Sequence, residues 1–316
     1  MADYTRLNKH VTELGQTLLT SQLESNLKTY WDWGLLEVGG FSNVSIPTSG
    51  AYGGTFDRLR LVDDPAYTLG QVWETARKDW VWETGLDYSV APTDISGVYI
   101  NSTMYATGDA TYAHHYNYPL GRVVFDTAIP TTSAVQLNYT YRHVQTYVAD
   151  QAPWWDEIQY NSYRVDDDTF DNHGSGNWQL LAQHRVQLPA IVIEAVPRRA
   201  FKPYEIGTVG NYVYQDVLFH VLAESRWWRN QLIDAISLEK DRTIWLYDNN
   251  SIAGITGYPL DERGMRVASP LMYPDFVTDH RFKRARYYNM TVTELSSPNS
   301  RLYKGTARAT FEVVMA

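Results

Sequence analysis

The stretch LPAIVIEAVPRRAFKPYEIGTVGNYVYQDVLFHVLAESRWWRNQLIDAISLEKDRTIWLYD, Leu188 to Asp248, decides the fold. Ile191 to Val196 is a short apolar run, led in by Pro189 and stopped by Pro197, and reads as a strand. Asp216 to Glu224 reads as a second strand, with Val217, Phe219, Val221 and Ala223 on one face and Leu218, His220 and Leu222 on the other. A strand apolar on both faces is expected at the centre of a covered sheet. Ser225 then stands where a helix N-cap belongs, its hydroxyl placed to accept from a free backbone N–H. Trp228, Leu232, Ala235 and Ile236 follow at helical spacing, with Arg229, Asn230, Gln231 and Asp234 on the opposite side. Thr243 to Tyr247 returns as a third strand. Strand, strand, helix, strand is an α+β unit with a helix laid on a sheet. It contains no evident catalytic constellation.

Downstream, Asn249 to His280 is rich in Gly and Pro and reads as loop, and two patterned strands close the chain. Arg286 to Glu294 puts Tyr288, Met290 and Val292 inward. Thr306 to Met315 puts Ala307, Ala309, Phe311, Val313 and Met315 inward against Arg308, Thr310 and Glu312. The polar Ser296 to Ser300 forms the hairpin between them. Upstream, residues 4–33 read as a helix with Leu7, Val11, Leu14 and Leu18 in one stripe, continued by Leu23 and Leu27 towards Tyr30, Trp31 and Trp33. That stripe faces the chain's own sheet or a neighbouring subunit, the former being the ordinary case.

Between these parts the composition shifts. Gly34 to Asp64 reads as loop with short strands, and Leu69 to Trp82 as a helix or turn. Val98 to Tyr105 alternates as a strand, Thr107 to Asn117 reads as a long loop, and Gly121 to Phe125 as a strand. Val135, Leu137, Tyr139 and Tyr141 alternate with Gln136, Asn138, Thr140 and Arg142, the pattern of a sheet with one wetted face. The expected organisation is a helical segment at 1–34 belonging to an α+β domain, an inserted antiparallel β-sandwich-like module at 35–150, a linker at 151–180, and the α+β domain at 181–316.

Twenty-four Tyr and 11 Trp dominate the aromatic content, and such side chains serve both β cores and protein interfaces. A net charge of −9 speaks against phosphate-backbone binding, though it suits a wall past which DNA slides without sticking. With no Cys there is no disulfide, thiolate metal site or Cys nucleophile. The N-terminus does not read as a signal peptide and no apolar run is long enough to span a membrane, so a soluble protein is expected.

The chemical candidates are weak one by one. Asp166, Asp167 and Asp168 with Asp171, Asn172 and Gly174 cluster oxygens as a calcium loop does, but the EF-hand register is missing and a solvated acidic loop fits better. His114 and His115 have no third ligand at metal spacing. Asp156 and Glu157 are adjacent, so on a strand they point apart and cannot flank a glycosidic bond by themselves. His220 among leucines reads as a hydrogen-bonded core histidine. Arg198, Arg199 and Lys202 form one basic group, and Arg281, Lys283, Arg284 and Arg286 another; either could meet an acidic partner. No nucleophile elbow, P-loop or dinucleotide fingerprint is present. The reading is a protein without catalytic, cofactor-binding or metal-binding residues.

The order of an N-terminal helix, L-P-A-x-x-x-E at Leu188 to Glu194, the strand Val217 to Glu224, the helix Arg226 to Leu238 and two closing strands ending in F-E-V-V-M resembles tail-terminator and related neck or tail-completion proteins of tailed bacteriophages. The resemblance covers residues 4–30 and 180–316, while the β-rich insertion departs from the smallest terminators. It implies a tail-terminator-like sheet with packed helices, in a structural virion protein at the head–tail junction. Such a protein is assembled in the host cytoplasm as a homo-oligomeric ring, commonly a hexamer. Its implied partners are its own copies, other neck, connector, tail tube or sheath proteins, and genomic DNA passing through the lumen without specific binding; no membrane is involved. The competing expectation is a distal tail or baseplate adhesin-like module that binds host glycan through exposed aromatics. Trp side chains lining an open groove would favour it, and Trp buried between subunits would favour the neck.

Overall fold

The computed structural model describes residues 19–46, 56–152, 155, 170–171, 186–203, 211–252, 259–268, 271–299 and 302–315. In chain order the first elements are α1 (Thr20–Glu37), β1 (Phe41–Val44), β2 (Arg60–Leu61), β3 (Val72–Glu74), β4 (Val98–Ile100), β5 (Thr103–Tyr105), β6 (His114–Asn117) and β7 (Arg122–Phe125). Then come β8 (Val135–Leu137), β9 (Tyr139–Arg142), β10 (Gln145–Val148), β11 (Phe170–Asp171), β12 (Val186–Gln187), β13 (Ala190–Pro203) and β14 (Asn211–Ala223). The chain ends with α2 (Arg226–Leu238), β15 (Thr243–Tyr247), α3 (Asn249–Ile252), α4 (Asp275–Asp279), β16 (Arg281–Asn299) and β17 (Leu302–Met315). The protein is mixed, mostly β with few helices.

Six strands form the central sheet in the order β10-β13-β14-β17-β16-β15. Only β10 and β13 run parallel; every other pair is antiparallel. Period-two alternation sends Ile191, Ile193, Val217, Phe219, Val221, Ala307, Ala309, Phe311 and Val313 to one face, where they are fully buried. On that face α1 lays Leu23, Leu27 and Trp31, and α2 lays Leu232, Ile233 and Ile236. Each such side chain contributes roughly 1.5–3 kcal/mol by leaving water. Ser225 caps α2 as its position suggests, its Oγ accepting from Trp228 N at 3.2 Å. Gly305 lets α2 approach, since a Cβ there would stand 3.0 Å from Ile233 Cγ1. The sheet curls far enough for α1 to reach strands on both sides. Glu24 Oε1 accepts from Ala195 N on β13 at 2.7 Å, while Asn26 exchanges hydrogen bonds of 2.7 and 2.9 Å with the backbone of Tyr247 on β15.

Residues 41–46 and 56–142 build a separate β core around Trp73, Trp80, Val98, Val123, Phe125, Leu137 and Tyr139. Its strands group as β2-β3-β7-β6, β5-β4-β8 and β1-β9. The module is tied to the central sheet through the turn after β3: Arg77 Nη2 donates to Leu188 O at 3.2 Å, and Gln187 Nε2 to Ala76 O at 3.2 Å.

Several expectations are corrected. The described part of the first helix runs on to Glu37, and its apolar side faces the chain's own sheet; Leu7, Val11, Leu14 and Leu18 lie outside the described residues. Leu69 to Trp82 holds no helix: Val72–Glu74 pairs between β2 and β7, and the turn beyond it is fixed by Thr75 Oγ1, which donates to Arg77 O at 2.6 Å. Val98 to Tyr105 is a hairpin, because Asn101 and Ser102 take φ of 49 and 72, the left-handed conformation a two-residue turn requires. The expected loop at Thr107 to Asn117 ends in strand β6.

The run from Val135 is broken at Asn138, and β9 is buried on both faces, Thr140 and Arg142 included. Strand β13 continues past Pro197 through a register shift between Ala195 and Arg199, β14 begins already at Asn211, and the stretch Ser296 to Asn299 is still strand. In β16 a shift between Tyr287 and Asn289 changes the phase of the alternation: Ala285 and Tyr287 are buried before it and Tyr288 is exposed, while beyond it Met290 packs against the core and Val292 stands opposite Ala307 as expected, though exposed. Arg229, expected on the wet side of α2, is buried, its Nη1 donating to Ser296 O at 3.1 Å.

Candidate functional site

The face of the central sheet turned away from the helices is polar, because the residues alternating with the core are Tyr214, Asp216, Arg308, Thr310 and Glu312. All of them but Glu312 line an open groove of about 470 Å³, together with Lys202, Tyr288 and Thr291. The Asp216 carboxylate accepts from the Arg308 guanidinium and from Thr310 Oγ1, the latter at 2.7 Å. Tyr214 donates its hydroxyl to Glu312 Oε2 at 2.8 Å, and this bond to a carboxylate pushes the phenol up to about 12. Asp216 is thus neutralised by a cation and Glu312 engaged by a phenol.

The sheet's outline is stepped. Strand β10 pairs only with Ala190 to Ile193 of β13, and β15 only with Arg281 to Arg286 of β16. Among the described residues no strand covers the outer side of β13 beyond Ile193 or of β16 beyond Arg286. The registers put these free stretches at diagonally opposite corners, Arg199–Pro203 near the start of β14 and Tyr288–Asn299 near its end. The second carries exposed apolar side chains at Tyr288, Val292 and Leu295, the last 54% accessible. A long edge with apolar side chains is a template for another chain.

A second cavity, of about 240 Å³, lies where α1 meets the β module. Inside it Arg142 bridges Asp79 (Nε to Oδ2, 3.2 Å) and Glu83 (Nη2 to Oε1, 2.5 Å), and Lys28 holds Asp32 at 2.6 Å. Burial pushes the carboxyl groups of Asp79 and Glu83 up. Because each of the three carboxylates already has a cation, the cluster reads as a clamp between module and helix. Its members are spread over more than a hundred residues of sequence, so no local motif announced it.

The residues singled out from sequence do not converge. His114 is buried, with Nδ1 2.7 Å from Tyr112 O and Nε2 3.1 Å from Tyr116 Oη, and burial holds both it and His115 below the ordinary imidazole range. Adjacent on a strand, the two rings point to opposite faces. His220 lies between Glu194 and Thr306, under Trp155, as a core histidine does. Of the acidic loop only the backbone of Asp171, in β11, is described; Asp156, Glu157, Asp166 to Asp168, Asn172 and Gly174 lie outside the described residues. No group of three or more metal-ligating side chains comes together among the described residues. Arg199 Nε donates to Gln215 Oε1 at 2.7 Å, and Lys202 lies over the ring of Tyr214; the side chain of Arg198 is outside the described set. Arg286 pairs with Asp241, while Arg281 and Arg284 lie over Trp245.

Among the described residues no helix is long and apolar enough to cross a membrane. No protein-family model matches the chain, and no curated protein matches its sequence.

Proposed function

We propose that this protein is a structural subunit of a tailed-phage virion, acting at the head–tail junction as a ring built from its own copies. The central sheet with its two helices is then the tail-terminator-like domain, and the β module an insertion that reaches neighbouring parts of the neck. The observation that carries the reading is the pair of edges, at opposite corners of one long sheet, that no strand covers among the described residues, the longer of them bearing exposed Tyr288, Val292 and Leu295. Two unlike patches on one subunit suit a heterologous contact, which closes into a ring when the rotation between copies is right. The neutralised groups of the sheet face and of the junction cleft support a role in shape and contact rather than in bond chemistry.

The glycan-binding alternative draws less support from the Trp side chains. Trp31, Trp73, Trp80 and Trp155 are buried within the chain itself. Trp245 borders a shallow groove, but Arg281 and Arg284 already lie over its ring at 4.7 and 5.3 Å. Native mass spectrometry with negative-stain microscopy of the purified protein tests the proposal. A closed ring with a central hole supports it; a compact trimer, or a chain that remains monomeric with purified tail tubes present, overturns it.

A further inference from the structure

Charge is divided unevenly along this chain. Residues 281–316 contain seven Lys and Arg against two Asp and Glu, a surplus of five positive charges in a protein whose net charge is −9, so the remainder carries −14. The surplus surfaces at the β15–β16 end of the central sheet. There Trp245 is 43% accessible and carries the guanidinium groups of Arg281 and Arg284 over its ring. On the same outward face Lys202 lies 4.9 Å over Tyr214. None of these three cations forms an ion pair among the described residues, whereas their neighbours Arg286 and Arg308 are neutralised by Asp241 and Asp216. They make a basic shelf that runs across the sheet from Trp245 on β15 to Tyr214 on β14.

The opposite charge has a matching place on the β module. Strands β2 and β7 flank β3 and both run antiparallel to it, so Asp63 and Asp126 leave the sheet at the same end. Both are exposed and neither forms an ion pair among the described residues. Between them the loop 64–71 carries Tyr67 and Leu69, 43% and 51% accessible. That tip is held in shape before any partner arrives. Asp64 Oδ1 accepts from Ala66 N at 3.0 Å, and Gln71 Nε2 donates to Phe125 O and Asp126 O, both at 3.1 Å. A preformed acidic and apolar tip is complementary to a preformed basic and aromatic shelf. Contact between them inside one copy would pair the shelf's cations with Asp63 and Asp126, and no such pair forms among the described residues.

We propose that the basic face of one copy, Arg281 and Arg284 around Trp245 with Lys202 farther across the same sheet, receives the acidic tip of the next copy, Asp63 and Asp126 around Tyr67 and Leu69. This rests on the ring reading and names the contact that orients its neighbours. Tip and shelf are different surfaces of the same chain, so the contact is head-to-tail. Its charged rim makes assembly sensitive to salt, because exposed charges are screened over about 8 Å at physiological ionic strength.

A charge-swap series in sedimentation velocity tests it. Wild type should associate at about 50 mM salt and at least about tenfold more weakly at about 500 mM. Shelf reversal (R281E with R284E) and tip reversal (D63R with D126R) should each give monomers with unchanged circular dichroism and melting temperature. An equimolar mixture of the two variants should assemble again, since an alternating ring then matches every tip with an opposite shelf; the chain carrying all four substitutions should do so alone. Wild-type assembly that is indifferent to both reversals, or variants that fail to rescue each other, overturns the docking and leaves edge sharing standing. A wild type that stays monomeric at low salt up to about 100 µM, with purified tail tubes present as well as alone, overturns the ring reading itself. If the shelf variant keeps its assembly but loses binding of a labelled single-stranded oligonucleotide of about 20 nucleotides, the shelf is a nucleic-acid site and the docking is wrong.

Discussion

Glu194 Oε2 lies 2.9 Å from His220 Nε2, a diagonal pair across β13 and β14 with the Trp155 ring 4.5 Å from the imidazole. With the proton on Nε2, Nδ1 is free to accept from Thr306 Oγ1 at 3.2 Å, so both ring nitrogens are satisfied. The bond from His220 holds the Glu194 carboxyl below its ordinary value of 4.5. A carboxyl depressed on folding binds protons more readily in the unfolded chain. Its stabilisation is therefore complete above 4.5 and is lost as the pH falls through the lower folded value. Urea midpoints measured from about pH 6 down to about pH 3 should fall less steeply for Glu194→Gln than for wild type. Superimposable profiles would remove Glu194 from the acid response.

The junction clamp makes a prediction of larger size. Arg142 is buried between Asp79 and Glu83, and no other cation reaches Glu83 among the described residues. Arg142→Met keeps most of the side-chain volume but leaves the buried Glu83 without its cation and removes one from the half-buried Asp79. The expected loss is about 3–5 kcal/mol of unfolding free energy, read by urea denaturation. A cost below about 1 kcal/mol would mean that water already reaches the cluster.

These two sites show what was readable in the sequence. His220 was legible because a polar residue inside an apolar strand has few alternatives to a hydrogen-bonded core position. Ser225 was legible because capping is local, and the inward set Ala307, Ala309, Phe311 and Val313 because β17 alternates without interruption. The pattern puts Tyr288 inward, but a bulge adds one residue to β16 at that point, and alternation alone does not show where the phase changes; Val292 does stand on the core face, opposite Ala307, yet is exposed. Arg142 and Arg229 were placed in solvent by their charge, although each is buried against partners supplied by distant segments. The stepped edges were invisible for a related reason: an edge is defined by the strand that fails to pair with it.

Gly305 offers a test of how closely α2 sits on the sheet. A Cβ at this position would meet Ile233 Cγ1 at 3.0 Å and Cδ1 at 3.1 Å. Its φ is not in the left-handed region, so the cost of a side chain is steric rather than torsional. Gly305→Val should lower stability by about 1–3 kcal/mol, whereas Gly305→Val combined with Ile233→Ala should recover part of the loss. Strict additivity of the two changes would mean that the helix has room to move away.

The free edge of β16 can be tested without disturbing the core. Leu295 is 54% accessible on the stretch of β16 that no described strand covers, so a lysine there leaves the folded subunit's packing intact. Lysine on an edge strand opposes pairing with a further strand, because the incoming chain must desolvate the ammonium group or displace it. Leu295→Lys should therefore leave the melting temperature within a few degrees of wild type, roughly the effect of 0.5 kcal/mol, while weakening self-association at least about tenfold. Leu238, 83% accessible at the end of α2, supplies the control: Leu238→Lys adds the same charge away from the edge and should leave association unchanged. If both variants weaken assembly equally, net charge is responsible. If neither does, the β16 edge is not where copies meet.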